Sequence, residues 1–334
     1  MITIKDVAKR SGFSVATVSA VINKKPIVSE KAREKIEEAI QELGYKPNII
    51  ARSLKSSKTS SIGIIVKDIK NPFYPEIVYG LEKVAWANQF EVFLCNTEGE
   101  FEREQRYIHN LIGKQVEGVI IATAKSDSMD QYSKLSDYNI PYVFINRRPD
   151  QLKDYEFFVG ADNVLASKKV VAHLKAHGYN SAGFISGPLS YSTFRDRYKG
   201  FCDAVKATGM TVDNDWLFFG DSNYSEETGY RYTLNLLNSG KNPEVIVCAS
   251  DFLAFGVHKA LVEKKVRIPE DIAIIGMDNN RFGEFIGLTT VDLQTEAMGE
   301  MAAEKLLQKI ENNEVNGTSN LLLLEPTIVT RKTC

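Results

Sequence analysis

The first 45 residues alternate apolar and polar positions with the spacing of three short helices, predicted over residues 4–11, 15–23 and 30–43. Each helix follows a residue type that caps helix N-termini, namely Thr3, Ser14 and Ser29. Thr3 and Asp6 together have the form of a capping box. Gly12 and Gly44 stand where the first and third helices should end. The N-terminal segment is therefore predicted to be a small three-helix unit.

From Ile62 onward the pattern changes to continuous apolar runs separated mostly by stretches of helical periodicity. Such runs in βα alternation are typical of parallel sheets covered by helices on both faces. The unit recurs too often for one small sheet, so we predict an α/β module of two doubly wound parallel-sheet subdomains. The runs lie at 62–66, 91–95, 117–122, 142–146, 157–161, 182–186, 244–250 and 272–278.

Between these two parts, residues 49–55 are too few for a stable isolated helix, and residues 56–61 are polar and linker-like. The predicted organisation is a headpiece over 1–47, a hinge and linker over 48–61, and an α/β module over 62–334. Residues 1–60 carry a net charge of +6, which leaves −8 for the rest of the chain. A basic segment on an acidic body favours a headpiece that binds a polyanion such as DNA.

Composition excludes several other classes of protein. The sequence has no apolar run long enough to span a bilayer and no signal peptide, which favours a cytoplasmic protein. Its four cysteines form no CxxC motif, and Cys95 and Cys248 lie in apolar runs typical of buried thiols. No metal-binding spacing, GxSxG, P-loop or GxGxxG after a strand occurs. We therefore expect no enzyme, no metal and no cofactor.

The first two predicted helices, joined by a tight turn, have the layout of a helix-turn-helix. Their periodicity predicts that one set of side chains is buried between the helices (Val7, Ala8, Val18 and Ile22) and that another faces outward (Val15, Ala16, Ser19 and Ala20). The second helix is short enough for a DNA major groove, and its N-terminus carries the hydroxyls of Ser14 and Thr17. On these features alone an ordinary helical hairpin is the favoured interpretation.

The stretches DVAKRSGFSVATVS, VIN, GYKPN and ARSLK resemble the headpiece of the lactose/galactose repressor family along its whole length. The resemblance implies that the second helix enters the major groove, with base-edge contacts from Val15, Ala16 and Ala20. It implies phosphate contacts from Thr3, Ser14, Thr17, Ser19 and Asn23. Relatives often have Arg or His where this chain has Ala20, which offers only a methyl group to a base.

The segment 48–55 resembles the hinge helix of the same family. This resemblance implies that Leu54 wedges between base steps in the minor groove, with Ala51 leaving room for the groove. Asn48, Arg52 and Lys55 are then further DNA contacts. The alternative is that Leu54 packs against the protein core. A hinge this short needs a partner copy, so we expect a homodimer on a palindromic operator.

Residues 62 to about 331 resemble the type I periplasmic binding-protein fold. The resemblance implies two lobes connected by three crossing segments, near 160–162, 291–293 and 324–326. The N-terminal lobe would comprise 62–161 and 293–324, and the C-terminal lobe 162–291 and 325–334. Ligands of such sheets bind beyond the carboxyl ends of the strands.

Polar and aromatic residues follow several of the predicted strands, where the cleft between the lobes would lie. Aromatic rings suit the apolar faces of sugars, and Asp, Asn and Arg suit their hydroxyls. Taken singly, each residue is better explained as a core residue, as part of an ion pair or as surface than as a ligand contact. Together they resemble the cleft of ribose-binding proteins. The candidate effector-binding residues are Asn71, Phe73, Tyr74, Asn146, Arg147, Asp162, Tyr191, Thr193, Arg197 and Asp278.

Two departures from that cleft bear on the ligand. Asn146 stands where an aspartate is common, and Leu293 stands where a hinge glutamine is found. The expected effector is a sugar or a sugar phosphate, since Arg147, Arg148 and Arg197 supply positive charge; a purine-type ligand is less favoured. The function expected is a sugar-responsive repressor of carbohydrate metabolism genes. The alternative is a catabolite-control-type regulator governed by a phosphoprotein partner.

Overall fold

The computed structural model describes residues 2–23, 26–45, 59–125, 129–311 and 320–334. The chain divides into two compact units, Met1–Thr59 and Ser60–Cys334, called here the headpiece and the α/β module. The division falls within the stretch where the sequence becomes polar and linker-like.

The headpiece contains three helices, α1 (Ile4–Ser11), α2 (Val15–Ile22) and α3 (Glu30–Leu43). Most of the predicted start and stop signals act as expected, at Thr3, Ser14, Gly12 and Gly44. Ser29 is an exception, because it precedes α3 without a side-chain capping bond. The backbone N–H and the hydroxyl of Thr3 both donate to the Asp6 carboxylate, at 2.8 and 2.7 Å. Gly12 and Gly44 close α1 and α3 in the left-handed conformation, with φ of 77° and 60°.

The core of the headpiece confirms most of the predicted periodicity. Val7, Ala8 and Val18 are buried in it, together with residues of α3. The fourth predicted core residue, Ile22, only packs against the cluster from its edge, whereas Val21 is buried in it. Val18 and Val21 lie three positions apart, about one helical turn, so they share the face that contacts the other helices.

The first lobe of the α/β module is built on a six-stranded parallel sheet. Its strands are β1 (Ser61–Val66), β2 (Glu91–Asn96), β3 (Gly118–Ile121), β4 (Tyr142–Ile145), β5 (Phe157–Ala161) and β11 (Leu321–Leu324). They lie in the order β11-β5-β4-β3-β1-β2. The accompanying helices are α4 (Phe73–Ala87), α5 (Phe101–Gly113), α6 (Ser133–Asp137) and α12 (Thr295–Ile310), with a 3-10 turn at Met129–Tyr132.

Both faces of this sheet are covered. Ile64 and Ile65 are neighbours on β1, and they pack into two different apolar clusters because successive side chains of a strand point to opposite faces. Every residue of β1 is buried, whereas the edge strands β2 and β11 are partly exposed. The continuous apolar run therefore predicted an interior strand correctly.

The second lobe is built on a four-stranded parallel sheet. Its strands are β6 (Ala182–Ser186), β7 (Leu217–Phe219), β8 (Val245–Cys248) and β9 (Ala273–Ile275). They lie in the order β7-β6-β8-β9. The accompanying helices are α7 (Asn163–Ala176), α8 (Ser192–Thr208), α9 (Glu226–Ser239), α10 (Asp251–Glu263) and α11 (Arg281–Phe285), with a 3-10 turn at Asn214–Trp216.

Three segments connect the lobes. The first runs from β5 into α7. The other two pair as an antiparallel ladder of β10 (Thr290–Asp292) with β12 (Thr327–Val329). The side-chain amide of Gln294, just after β10, donates to the Glu325 carbonyl at 2.8 Å and so ties the second segment to the third. The two-lobed arrangement of parallel sheets predicted from the strand pattern is confirmed.

Candidate functional site

The N-terminus of α2 is built as a polar, exposed end. Ser14 Oγ accepts the Thr17 backbone N–H at 3.1 Å, and the two hydroxyls lie 2.8 Å apart. Val15 is 40% exposed and Ala16 is exposed as well, so two of the three residues expected at base edges face solvent.

The prediction for the orientation of Ala20 is wrong. The sequence pattern predicted that it faces outward, but only 8% of it is exposed. It lies between Val18 and Val21, which both pack inward. Its side chain extends a single carbon from the backbone, so the surrounding groups leave little of it accessible. Val15 and Ala16 are therefore the accessible apolar residues among the three.

The remaining headpiece candidates have local partners. Asn23 donates its side-chain amide to the Ser19 carbonyl at 2.8 Å, and Thr3 is held by Asp6. The hydrogen bonds from the Thr3 hydroxyl and backbone lower the pKa of Asp6. The hinge candidates lie outside the described residues, and their roles stay predictions: Asn48, Ala51, Arg52, Leu54 and Lys55.

In the α/β module, the first lobe supplies one wall of a cleft. Tyr74, at the start of α4, is 1% exposed, and its ring meets Phe73 edge-on with the centroids 5.6 Å apart. The side chain of Asn71 serves this turn locally, because its oxygen accepts the Phe73 N–H at 3.1 Å. Burial raises the pKa of Tyr74 well above its ordinary value, although the nearby Arg147 charge opposes this.

Arg147 reaches from the end of β4 into the aromatic groups of the second lobe. Its Nη2 donates to the Tyr224 hydroxyl at 2.7 Å, and the guanidinium lies 3.8 Å from the Tyr191 ring centroid. Just before it, Asn146 adopts a left-handed backbone with φ of 61°, and its carbonyl accepts the Thr193 hydroxyl at 2.8 Å. These contacts hold the two lobes together at the cleft.

The second lobe contributes a buried ion pair. Arg197 Nη1 lies 3.4 Å from Asp278 Oδ1, and Arg197 Nε donates to Asn163 Oδ1 at 2.7 Å. Nη1 also donates to the Ala249 carbonyl. The other Asp278 oxygen accepts the Asp251 N–H at 3.2 Å. Burial raises the pKa of Asp278, against the lowering effect of the Arg197 charge.

Asp162 had two open roles, contact with ligand or stabilisation of the crossing. Its Oδ1 accepts the Leu165 N–H at 2.9 Å and so caps α7, immediately after the chain leaves the first lobe. This geometry supports the stabilising role.

Sequence reasoning missed several residues of the cleft. Lys67 directly follows β1, is 5% exposed and places its ammonium nitrogen 3.7 Å from the Tyr224 ring centroid. Burial, together with the positive charge of Arg147, lowers the pKa of Lys67 to about 7. Its position at a strand end was the available signal. Tyr224 follows β7, a strand that the pattern did not predict, and Asn163 begins α7 after the first crossing.

Cys95 and Cys248 are buried free thiols, as predicted. Within the described ranges, no group of three or more His, Cys, Asp or Glu side chains is placed to hold a metal ion. Among the helices of the same residues, none combines the length and apolar character needed to cross a membrane.

Comparison with known proteins agrees with both units. Residues 59–325 match the family described as periplasmic binding proteins and sugar binding domain of the LacI family, and residues 3–48 match bacterial regulatory proteins of the lacI family. The HTH-type transcriptional repressor PurR of Pasteurella multocida (strain Pm70) is 35% identical over 341 residues, which cover 99% of this chain and 98% of that protein.

Two solved structures support the same assignment. The lac repressor dimer bound to operator and the anti-inducer ONPF is 28% identical with a TM-score of 0.86, over 99% of this chain and 98% of that one. The complex of the transcriptional regulator CelR with cellobiose is 26% identical with a TM-score of 0.74, over 100% of both chains.

A helix-turn-helix headpiece joined to a two-lobed module of the periplasmic binding-protein type defines a DNA-binding transcriptional regulator. The chain belongs to the LacI family and is a transcriptional repressor of that family. The resemblance noted in the sequence is thereby confirmed.

Proposed function

We propose that this repressor controls carbohydrate metabolism genes in the cytoplasm, and that a sugar or sugar phosphate bound between its two lobes changes its affinity for a palindromic operator. The CelR structure supports a sugar, since that relative is bound to cellobiose. The single observation that carries the proposal is the buried pair of Arg197 and Asp278 near the aromatic rings of Tyr74 and Tyr191.

Each part of this arrangement suits a carbohydrate. A carboxylate accepts hydrogen bonds from sugar hydroxyls, a guanidinium donates to their oxygens, and an aromatic ring packs on the apolar face of the sugar. The effector acts on DNA only through its different affinities for the two arrangements of the lobes. Contacts to both lobes, such as Asp278 in one and Tyr74 in the other, would favour the closed arrangement.

The effector is tested by thermal shift and by calorimetric titration of the full chain with neutral sugars, sugar phosphates and purine bases. A sugar-type ligand should raise the melting temperature. Asp278→Asn should weaken its binding roughly tenfold to a hundredfold, because a charged hydrogen bond is lost. The control is Asp271→Asn, since Asp271 is exposed and pairs with Arg267. Binding of a purine base with no response to any sugar would refute the proposed effector class.

For operator binding we propose a homodimer in which α2 of each copy reads one half-site. Val15 and Ala16 are the residues we place at base edges, because they are exposed beside the polar end of α2. Ala16→Arg should then shift the half-site preference toward guanine at one position, since Arg pairs with its O6 and N7. Selection from randomised operators measures the preference.

Ala20→Arg is the comparison variant for this selection. If the family resemblance holds at Ala20, the variant selects guanine at a second position. If Ala20 is instead too buried to reach a base, the variant destabilises the headpiece and the half-site preference does not change. Operator affinity should fall steeply with salt through counterion release. Sedimentation that finds a monomer on a single half-site would contradict the proposed assembly.

A further inference from the structure

The carboxyl ends of four neighbouring strands of the first sheet converge on one pocket. Lys67 follows β1, Thr97 follows β2, Thr123 follows β3 and Arg147 follows β4. Tyr191 of the second lobe completes the lining, so the pocket opens from the cleft proposed for the effector. The position agrees with the general rule that α/β sheets bind ligands at these strand ends.

Arg147 brings unused donors to this pocket. It is 2% exposed, and within the described ranges only its Nη2 has a hydrogen-bond acceptor, the Tyr224 hydroxyl. Its Nε and Nη1 are buried without a hydrogen-bond partner among the described residues. A guanidinium keeps its charge in proteins, and buried donors left unpaired cost free energy. The side chain is therefore arranged for an acceptor that the described residues do not supply.

Lys67 adds a second buried cation. Its ammonium group lies over the Tyr224 ring, and no hydrogen bond or ion pair to it is found within the described parts of the chain. Burial, followed by repulsion from Arg147, lowers the pKa of Lys67, and the attraction of Asp68 and Asp221 only partly opposes this. Two close cations in a buried position are stabilised best by an anion between them.

Among the described residues, one acidic side chain, that of Glu104, also lines the pocket. Its Oε1 is already taken by the hydroxyls of Thr123 and Tyr132, at 2.6 and 2.8 Å, and by the Gln131 amide at 3.1 Å. Burial raises the pKa of Glu104, which favours its neutral form. Glu104 is therefore poorly placed to neutralise both Lys67 and Arg147.

We infer that the effector carries an anionic group, a carboxylate or a phosphate, and that Lys67 and Arg147 bind this group at the strand ends of the first lobe. The inference rests on the proposed function, in which a sugar-type effector occupies the cleft. Arginine and lysine donate their strongest hydrogen bonds to these two groups. The ligand class is thus a sugar acid or a sugar phosphate, with the sugar hydroxyls directed to Arg197 and Asp278.

Matched pairs of ligands test the inference by calorimetry on the full chain: glucose with glucuronate, galactose with galacturonate, glucose with glucose 6-phosphate, and ribose with ribose 5-phosphate. In at least one pair the anionic member should bind about tenfold to a hundredfold more tightly. Lys67→Met removes the charge at similar volume and should collapse this ratio. Arg147→Lys should reduce it, because the charge remains and the fork of donors is lost. The control Lys114→Met removes an exposed lysine and should leave the ratio unchanged.

The outcomes separate this inference from the proposed function. If a neutral sugar binds as well as its anionic partner, and Asp278→Asn weakens both, the sugar effector stands and the anion site is refuted. An anionic ligand whose affinity is unchanged in Lys67→Met and Arg147→Lys also refutes the site. If only a purine base binds, the proposed effector class fails first. The carboxylate and phosphate pairs distinguish a sugar acid from a sugar phosphate.

Discussion

Arg197 and Asp278 form an ion pair whose side chains are 2% and 6% exposed, with 3.4 Å between Nη1 and Oδ1. Arg197 also donates to Asn163 at the start of α7 and to the carbonyl of Ala249 after β8. One guanidinium therefore connects three segments of the second lobe. Removing one partner of a buried pair is far more costly than losing an exposed pair, because the other charge stays desolvated.

Arg197→Ala should destabilise the α/β module by about 3–5 kcal/mol. Asp278→Asn should cost less, since the amide oxygen can still accept from Arg197. This is why Asp278→Asn is the cleaner probe of effector binding. Urea unfolding followed by circular dichroism measures both. Arg267→Ala, which breaks the exposed pair with Asp271, is the control and should change the free energy of unfolding far less. Equal losses for Arg197→Ala and Arg267→Ala would show that burial of the pair contributes little.

The close packing of α4 on α12 gives a second prediction. A Cβ added at Gly80 would lie 2.1 Å from the backbone oxygen of Glu296. This clash involves main-chain atoms, so it can be relieved only if one of the two helices moves. Gly80→Ala should therefore destabilise the module by about 1–3 kcal/mol through overpacking. Gly113 ends α5 with nothing within 4 Å of its added Cβ. Gly113→Ala should be neutral or stabilising by up to about 1 kcal/mol, because alanine loses less chain entropy. A destabilised Gly113→Ala with a neutral Gly80→Ala would contradict the packing argument.

The parts of the fold that the sequence predicted share a physical cause. Strands β5 and β6 match their predicted bounds because every residue in them is buried, so the apolar run and the strand coincide. Strand β11 went unrecognised, although it is a run of leucines, because its place depends on pairing with β5 far away in the chain. Such pairing is a tertiary interaction, which the local pattern of apolar residues does not predict.

The same contrast holds in the cleft. Arg147 and Asp278 were found because they end apolar runs, where parallel sheets place their ligands. Tyr224 was not, since it lies in the loop after the unpredicted strand β7. The unpaired state of Arg147 Nε is likewise a property of the three-dimensional arrangement. Residue type and position thus predicted which residues line the cleft. Which of their hydrogen-bond donors lack an acceptor depends on how the two lobes pack.

Capping of α2 gives a third prediction, in the headpiece. Ser14 Oγ accepts the Thr17 N–H, so Ser14→Ala should cost about 1 kcal/mol of helix stability. Hydrogen exchange of the segment Val15–Ile22 in the full chain should then be about fivefold faster, by conversion of that free energy. Ser29 is a matched control, because it occupies the N-cap position before α3 but makes no side-chain capping bond. Ser29→Ala should leave exchange in α3 nearly unchanged, and an equal acceleration in both variants would remove the capping explanation.

The buried ammonium group of Lys67 predicts how stability depends on pH. Its pKa is lowered from 10.5 to about 7 by burial and by Arg147, with Asp68 and Asp221 opposing. Below pH 7 the group is protonated in both the folded and the unfolded chain, and folding bears the full cost of burying the charge. Between pH 7 and 10.5 the unfolded chain still binds this proton while the folded chain does not, so stability rises with pH through that window. Above it the group is neutral in both states and the cost is gone.

Lys67→Met should therefore raise the free energy of unfolding most below pH 7, by an amount on the order of a few kcal/mol. The gain should shrink steadily as pH rises from 7 toward 10.5. Urea unfolding of both proteins at pH 6, 8 and 9.5 measures the difference. Lys114→Met, at an exposed lysine, is the control and should differ from the parent chain by a small amount at every pH. A difference for Lys67→Met that is the same at all three pH values would mean that Lys67 keeps its ordinary pKa, and a difference that grows with pH would reverse the sign of the argument.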